Sequence, residues 1–254
     1  MAPISFSRAV LSFHNSAFSE GMVRQAAEFA SLFKLTLHGL FIEDPMMAGA
    51  TQWTGLREFN LLDRRWQAYA GSAVPADLQM SEARARKLIE RAARGQRITS
   101  GFEVVRANVA AAVSGASAAD DIILVCEPEN PIERIAYGFR QMLDAAVRSP
   151  SAMLWLPRKI AGGGRPILLI DDGDSAVAEA IRGIIGEPLE IFRRADEEIS
   201  HPISGAPLRY GGPPCLVVMT CPLKAALKRE DMVEFLQTWK APVLLLPGAA
   251  SRAG

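Results

Sequence analysis

The sequence predicts an α/β protein built from two unequal copies of one parallel-sheet unit. Three observations predict it. Short apolar runs alternate with segments of helical periodicity, the run–helix–run layout occurs twice, and both copies close on an apolar run ending in proline.

In the first copy, residues 8–13 form an apolar run that ends in the polar His14, Asn15 and Ser16. A helical pattern follows, with Phe18, Met22, Val23, Ala26, Phe29, Ala30 and Phe33 on one stripe. A second run, 35–41, is closed by Glu43 and Asp44. Next come a helix near 81–96, a strand near 102–105 and an alanine-rich helix near 108–118. The run 121–126 leads to a helix carrying Ile132, Ile135, Phe139, Leu143 and Val147 on one face, and the unit closes with 151–157.

The second copy opens with 166–170 and the polar Asp171, Asp172, Gly173, Asp174 and Ser175. Its first helix carries Val177, Ile181, Ile184 and Ile185, and the strand 189–192 follows. The stretch 193–214 holds Gly205, Gly211, Gly212 and four prolines and reads as loop, so this copy has lost at least one helix. The run 215–219, a helix with Leu223, Leu227, Val233 and Leu236, and the run 241–247 complete it. The expected units are 1–160 and 165–254, joined at Gly162, Gly163 and Gly164. Residues 45–80 have no counterpart in the second copy. There Phe59, Leu61, Leu62, Trp66 and Tyr69 suggest one or two amphipathic helices covering the core, with docking on a partner or a lipid surface as the competing reading.

Bulk properties narrow the function classes. The 254 residues are 49% hydrophobic and 22% charged, ordinary globular composition. Lys+Arg and Asp+Glu both number 28, so no overall charge draws the chain to nucleic acid. No apolar run approaches the about 20 residues that span a bilayer, and the first residues lack a secretory pattern. Cys126, Cys215 and Cys221 form no pairable even set and no CxxC, which suits buried free thiols in a cytoplasmic protein.

The layout of 8–157, repeated with decay over 166–247, resembles the universal stress protein superfamily in its tandem form. Leu40, Phe41, Ile42, Glu43 and Asp44, the insert, and the helix through Glu82 and Arg86 are similar to a proteobacterial subgroup. The resemblance implies a five-stranded parallel sheet ordered 3-2-1-4-5 in the full unit. It also implies that the last strands of the two units, 152–156 and 243–246, pair antiparallel as an internal pseudo-dimer. Such a chain would be a monomer or a homodimer of pseudo-dimers.

Members that bind nucleotide use an Asp after strand one and a glycine-rich stretch after strand four, where backbone N–H groups approach phosphate. Here His14 stands in place of that Asp, and the later loop reads Cys126, Glu127, Pro128, Glu129, Asn130, Pro131, Ile132, Glu133. Prolines supply no N–H and the glutamates repel phosphate. Gly138 falls within the helix. In the second copy Asp171 matches the family's Asp, but the loop from Thr220 again lacks glycine, leaving Lys224 as the group to meet an anion. The candidate ligand contacts are Asp171, Asp172, Asp174 and Lys224, with His14 and Asn15 in the first copy.

Enzyme readings find little support. Asp172-Gly173-Asp174 after an apolar strand resembles the DxD of Mg²⁺-dependent phosphate-handling enzymes, but no acidic pair follows strand four. Of the histidines, His38 is mid-strand, where a satisfied core residue is expected, and His201 lies in the loop-like stretch. Cys126 lies beside Glu127, which opposes a thiolate. No nucleophile elbow, zinc-protease motif or P-loop occurs. The expectation is a non-catalytic stress-response module that binds a small molecule or a protein, without ATP, AMP or metal. The alternative is a nucleotide-binding switch or Mg²⁺-dependent enzyme using the Asp171 cluster.

Overall fold

The computed structural model describes residues 5–14, 19–45, 57–60, 63–68, 74–128, 137–158, 167–171, 183, 189–193, 216–220, 232, 235–237 and 241–247. Strands β1 (Arg8–His14), β2 (Thr36–Glu43), β5 (Ser100–Arg106), β6 (Asp121–Cys126) and β7 (Ala152–Leu156) form a first group. Strands β8 (Ile167–Asp171), β9 (Leu189–Arg193), β10 (Leu216–Thr220) and β11 (Val243–Leu246) form a second. All nine join one sheet in the order β5-β2-β1-β6-β7-β11-β10-β8-β9. The first five therefore follow the 3-2-1-4-5 order. Pairing is parallel within each group and antiparallel between β7 and β11, where Trp155 faces Val243 and Leu154 faces Leu244.

The strands match the apolar runs because a sheet covered on both faces needs apolar residues at every position. All of β6 and β7 is buried. Alternate residues feed two cores. Leu11, Phe13, Leu124 and Leu154 face α1 (Glu20–Leu32) and α2 (Val74–Gln96). Val10, Ile123, Val125 and Trp155 face α3 (Val109–Ala116) and α4 (Tyr137–Arg148).

Helix ends follow local chemistry. Ser19 caps α1 by accepting from Met22 N at 3.2 Å, and Asn108 caps α3 by accepting from Ala111 N at 2.9 Å. Lys34 and Arg97 take left-handed φ values of 57° just past α1 and α2. Each is followed by a residue whose N–H reaches back into the helix, Leu35 to Ala30 O and Ile98 to Ala93 O. Helix α2 starts seven residues before the expected 81, with Pro75 in its first turn, where a missing N–H costs nothing.

Two glycines let β2 and β5 approach. A Cβ on Gly39 would lie 2.7 Å from Phe102 Cδ2 and 3.0 Å from Ile89 Cγ1. A Cβ on Gly101 would lie 2.5 Å from His38 Nδ1. Gly39→Ala should therefore lower stability by about 1–3 kcal/mol through overpacking. An unchanged urea midpoint would show that Phe102 has room to move.

Part of the reading of 45–80 is corrected. Residues 57–60 and 65–68 are not helical. They form an antiparallel pair, β3 (Arg57–Asn60) and β4 (Arg65–Ala68), separate from the main sheet. Phe59 and Trp66 pair across it with ring centroids 5.4 Å apart, and both are exposed rather than covering the core. Cross-strand aromatic pairing and the turn at Asp63–Arg64, with Arg64 at φ 50°, favour the ribbon. Leu61, Leu62 and Tyr69 lie outside the described residues.

Polar groups cluster where β1 and β6 begin. The fully buried Asp121 accepts from Arg8 Nε at 2.9 Å, from Arg8 Nη2 at 2.6 Å and from Ala118 N at 2.8 Å. Ser151 Oγ donates to Ala118 O at 2.6 Å and Ser149 Oγ donates to Ser151 Oγ at 3.0 Å. This network braces the strand N-termini, opposite the end where ligands bind such sheets.

Candidate functional site

In sheets of this order ligands sit beyond the strand C-termini, here where β1, β2, β5 and β6 stop. β1 ends at His14, whose backbone is paired with Ile42. Its imidazole and all of Asn15 lie outside the described residues. Two residues earlier, Ser12 Oγ is buried without a hydrogen-bond partner. At the ends of β2 and β5, Arg106 Nε donates to Glu43 at 2.7 Å.

β6 ends at Cys126 and turns into Glu127 and Pro128. Glu127 N donates to Leu156 O at 2.8 Å. Its carboxylate accepts from Arg158 N at 2.9 Å and from Gln237 Nε2 at 3.0 Å. A half-buried anion thus sits where nucleotide-binding sheets present free N–H groups, and Pro128 has no N–H to offer. Gly138 is the second residue of α4.

Cys126 is a buried free thiol, and burial pushes it from its ordinary 9.0 up to about 12. Desolvation, not Glu127, is the cause. Cys215 and Cys221 lie outside the described residues. The proton is held more tightly folded than unfolded, so this contribution is whole below about 9 and is lost as pH rises towards about 12. Stability should fall there by up to about 1.4 kcal/mol per pH unit, a component missing in Cys126→Ala. Equal alkaline slopes of the urea midpoint in the two proteins would count against this.

His38 corrects the expectation of a satisfied core residue. It is half-buried, its Nε2 makes no hydrogen bond, and Glu103 Oε2 stands 3.7 Å away. Asp171 closes β8 with its backbone opposite Arg193, and its carboxylate lies outside the described residues. So do Asp172, Asp174 and Lys224. Among the described residues no three His, Cys, Asp or Glu side chains are placed to hold a metal ion. Among them, too, no helix is long and apolar enough to cross a membrane. Sequence reasoning saw Glu127 as a repelling charge and missed its tie to Gln237. The two are 110 positions apart, and no local pattern links them.

Sheet order, helices on both faces and the position of the switch point define the α/β fold of the universal stress proteins. The structure of a universal stress protein from Archaeoglobus fulgidus DSM 4304 is similar with a TM-score of 0.60 at 10% identity, covering 98% of this chain and 99% of that one. A protein of unknown function from Pseudomonas aeruginosa PAO1 is similar with a TM-score of 0.50 at 14% identity, covering 98% and 95%. No family profile and no curated protein matches the chain.

Proposed function

We propose that the chain is a universal-stress-type protein acting in the stress response as a non-catalytic interaction module for a small molecule or a protein. Its halves, 1–160 and 165–254, make an internal pseudo-dimer in which the second copy is shortened. The antiparallel β7–β11 pairing supports the pseudo-dimer, as does the placing of β10 and β8 after β11, which mirrors β6 and β1 beside β7. The observation that carries the non-nucleotide reading is Glu127, whose carboxylate is bound by Arg158 N and Gln237 at the end of β6.

Thermal-shift measurements with ATP, AMP and Mg²⁺ test it. A ligand at a hundredfold excess over Kd adds about 2.7 kcal/mol of stability, so binding would be plain to see. No shift is expected. A shift with ATP that Asp171→Ala removes would overturn the reading and assign the second unit to a nucleotide-driven switch. A Mg²⁺-dependent shift with release of phosphate would make it an enzyme.

A further inference from the structure

His38 holds a polar atom that neither the sheet nor its ligand end explains. Strand alternation puts it on the face of Leu40 and Ile42, towards α3, opposite the face of Leu37 and Phe41. Its side chain is 14% exposed, and Nε2 is buried without a hydrogen-bond partner. The ring lies across the boundary between β2 and β5. His38 is paired with Gly101, and a Cβ there would stand 2.5 Å from Nδ1 and 3.2 Å from Cε1. The glycine thus leaves the imidazole its seat on the neighbouring strand. One pair along the same face, Glu103 of β5 brings Oε2 to 3.7 Å from Nε2, outside hydrogen-bond range. The Glu103 side chain is 52% exposed, so the movement of about 1 Å that closes this gap meets water rather than packing.

The charges around His38 favour a proton there. From β1, Arg8 stands diagonal to it, since Val10 is the residue paired with His38. The Arg8 guanidinium is already taken by Asp121 of β6, at 2.6 and 2.9 Å. That hydrogen bond, with smaller pulls from the charges of Asp120 and Glu103, holds Arg8 above its ordinary value against desolvation. α3 has no ionisable side chain over its whole length. Arg106, the other charge of β5, falls on the opposite face and is tied to Glu43. Glu103 is the carboxylate left to meet an imidazolium. Imidazole changes charge between about pH 5 and 8, and its charged form donates from both nitrogens. We propose that protonation of His38 closes an ion pair with Glu103 that fastens β5 to β2. β5 ends the strand order, and edge strands are where pairing opens first. The same strand carries Arg106 at the ligand end and leads to the Asn108 cap of α3, so acid firms that whole edge. This inference is independent of the nucleotide question.

The test is amide hydrogen exchange over 100–106 in the full chain, His38→Gln and Glu103→Gln, compared at matched pH so that intrinsic rates cancel. His14 and His201 are present in all three, so their titration cancels too. Between about pH 8 and about pH 5.5 the native chain should slow relative to each variant. The expected change in the ratio is about two- to fivefold, the effect of one partly exposed ion pair. Glu103→Gln alters a group that faces water, and so reads the pair even where His38→Gln disturbs the packing. A ratio that stays flat or reverses as pH falls would overturn the proposal. So would acid slowing of native size in either variant, which would give the effect to another group.

Discussion

Trp155→Ala is expected to lower the unfolding free energy by about 3–5 kcal/mol, much of the about 5–15 kcal/mol by which domains are usually stable. Trp155 is fully buried in β7, faces Val243 of β11 and meets Phe139 of α4 edge-on at 6.4 Å. Its truncation opens a void where the two strand groups join. Neighbouring residues on both sides, Leu154, Leu156, Val243 and Leu245, are at most 1% exposed, so little can collapse into the space. Trp155→Phe should behave differently. The indole N–H is buried without a hydrogen-bond partner, so its removal relieves a desolvation cost while the ring volume is largely kept. The phenylalanine variant should stay within about 1.5 kcal/mol of the native chain. Urea denaturation of the two variants checks this, and equal losses would mean that the indole nitrogen is satisfied in solution.

Asp121→Ala is the second large effect, about 3 kcal/mol. The carboxylate is wholly buried and holds both Arg8 and the N–H of Ala118. Removing one partner of a buried ion pair costs about 3–5 kcal/mol. The lower end applies here because the Arg8 side chain is 35% exposed and can turn to water. In a chain of this size each kcal/mol moves the melting temperature by roughly 2–4 °C. Arg8→Ala should cost no less, since it leaves the Asp121 charge buried with only neutral donors. A melting temperature within a degree or two of native for Asp121→Ala would show that the pair contributes little.

The strands were legible because burial on both faces leaves its mark in composition. Residues 121–126 and 152–156 read as continuous apolar runs, and they are β6 and β7. The ribbon was not legible. Phe59, Leu62, Trp66 and Tyr69 recur at intervals of three and four, which imitates a helix, and four-residue strands are too short to show alternation. Its turn has Asp63 and a left-handed Arg64, with none of the glycine that signals a hairpin. At the ligand end the sequence revealed the charge of Glu127 but not its partners, because a main-chain N–H leaves no trace in residue identity. Asp121 gave one faint clue, an acid opening an apolar run, but its partner is 113 positions away.

The reversal of direction between β7 and β11 has a consequence for traffic through the molecule. The rim where β1 and β6 terminate is also the rim where β10 and β11 start, so any guest there rests on the exits of one half and the entrances of the other. Gln237, reaching Glu127 across that line, already spans the two. The exits of β8 and β10 open on the far rim.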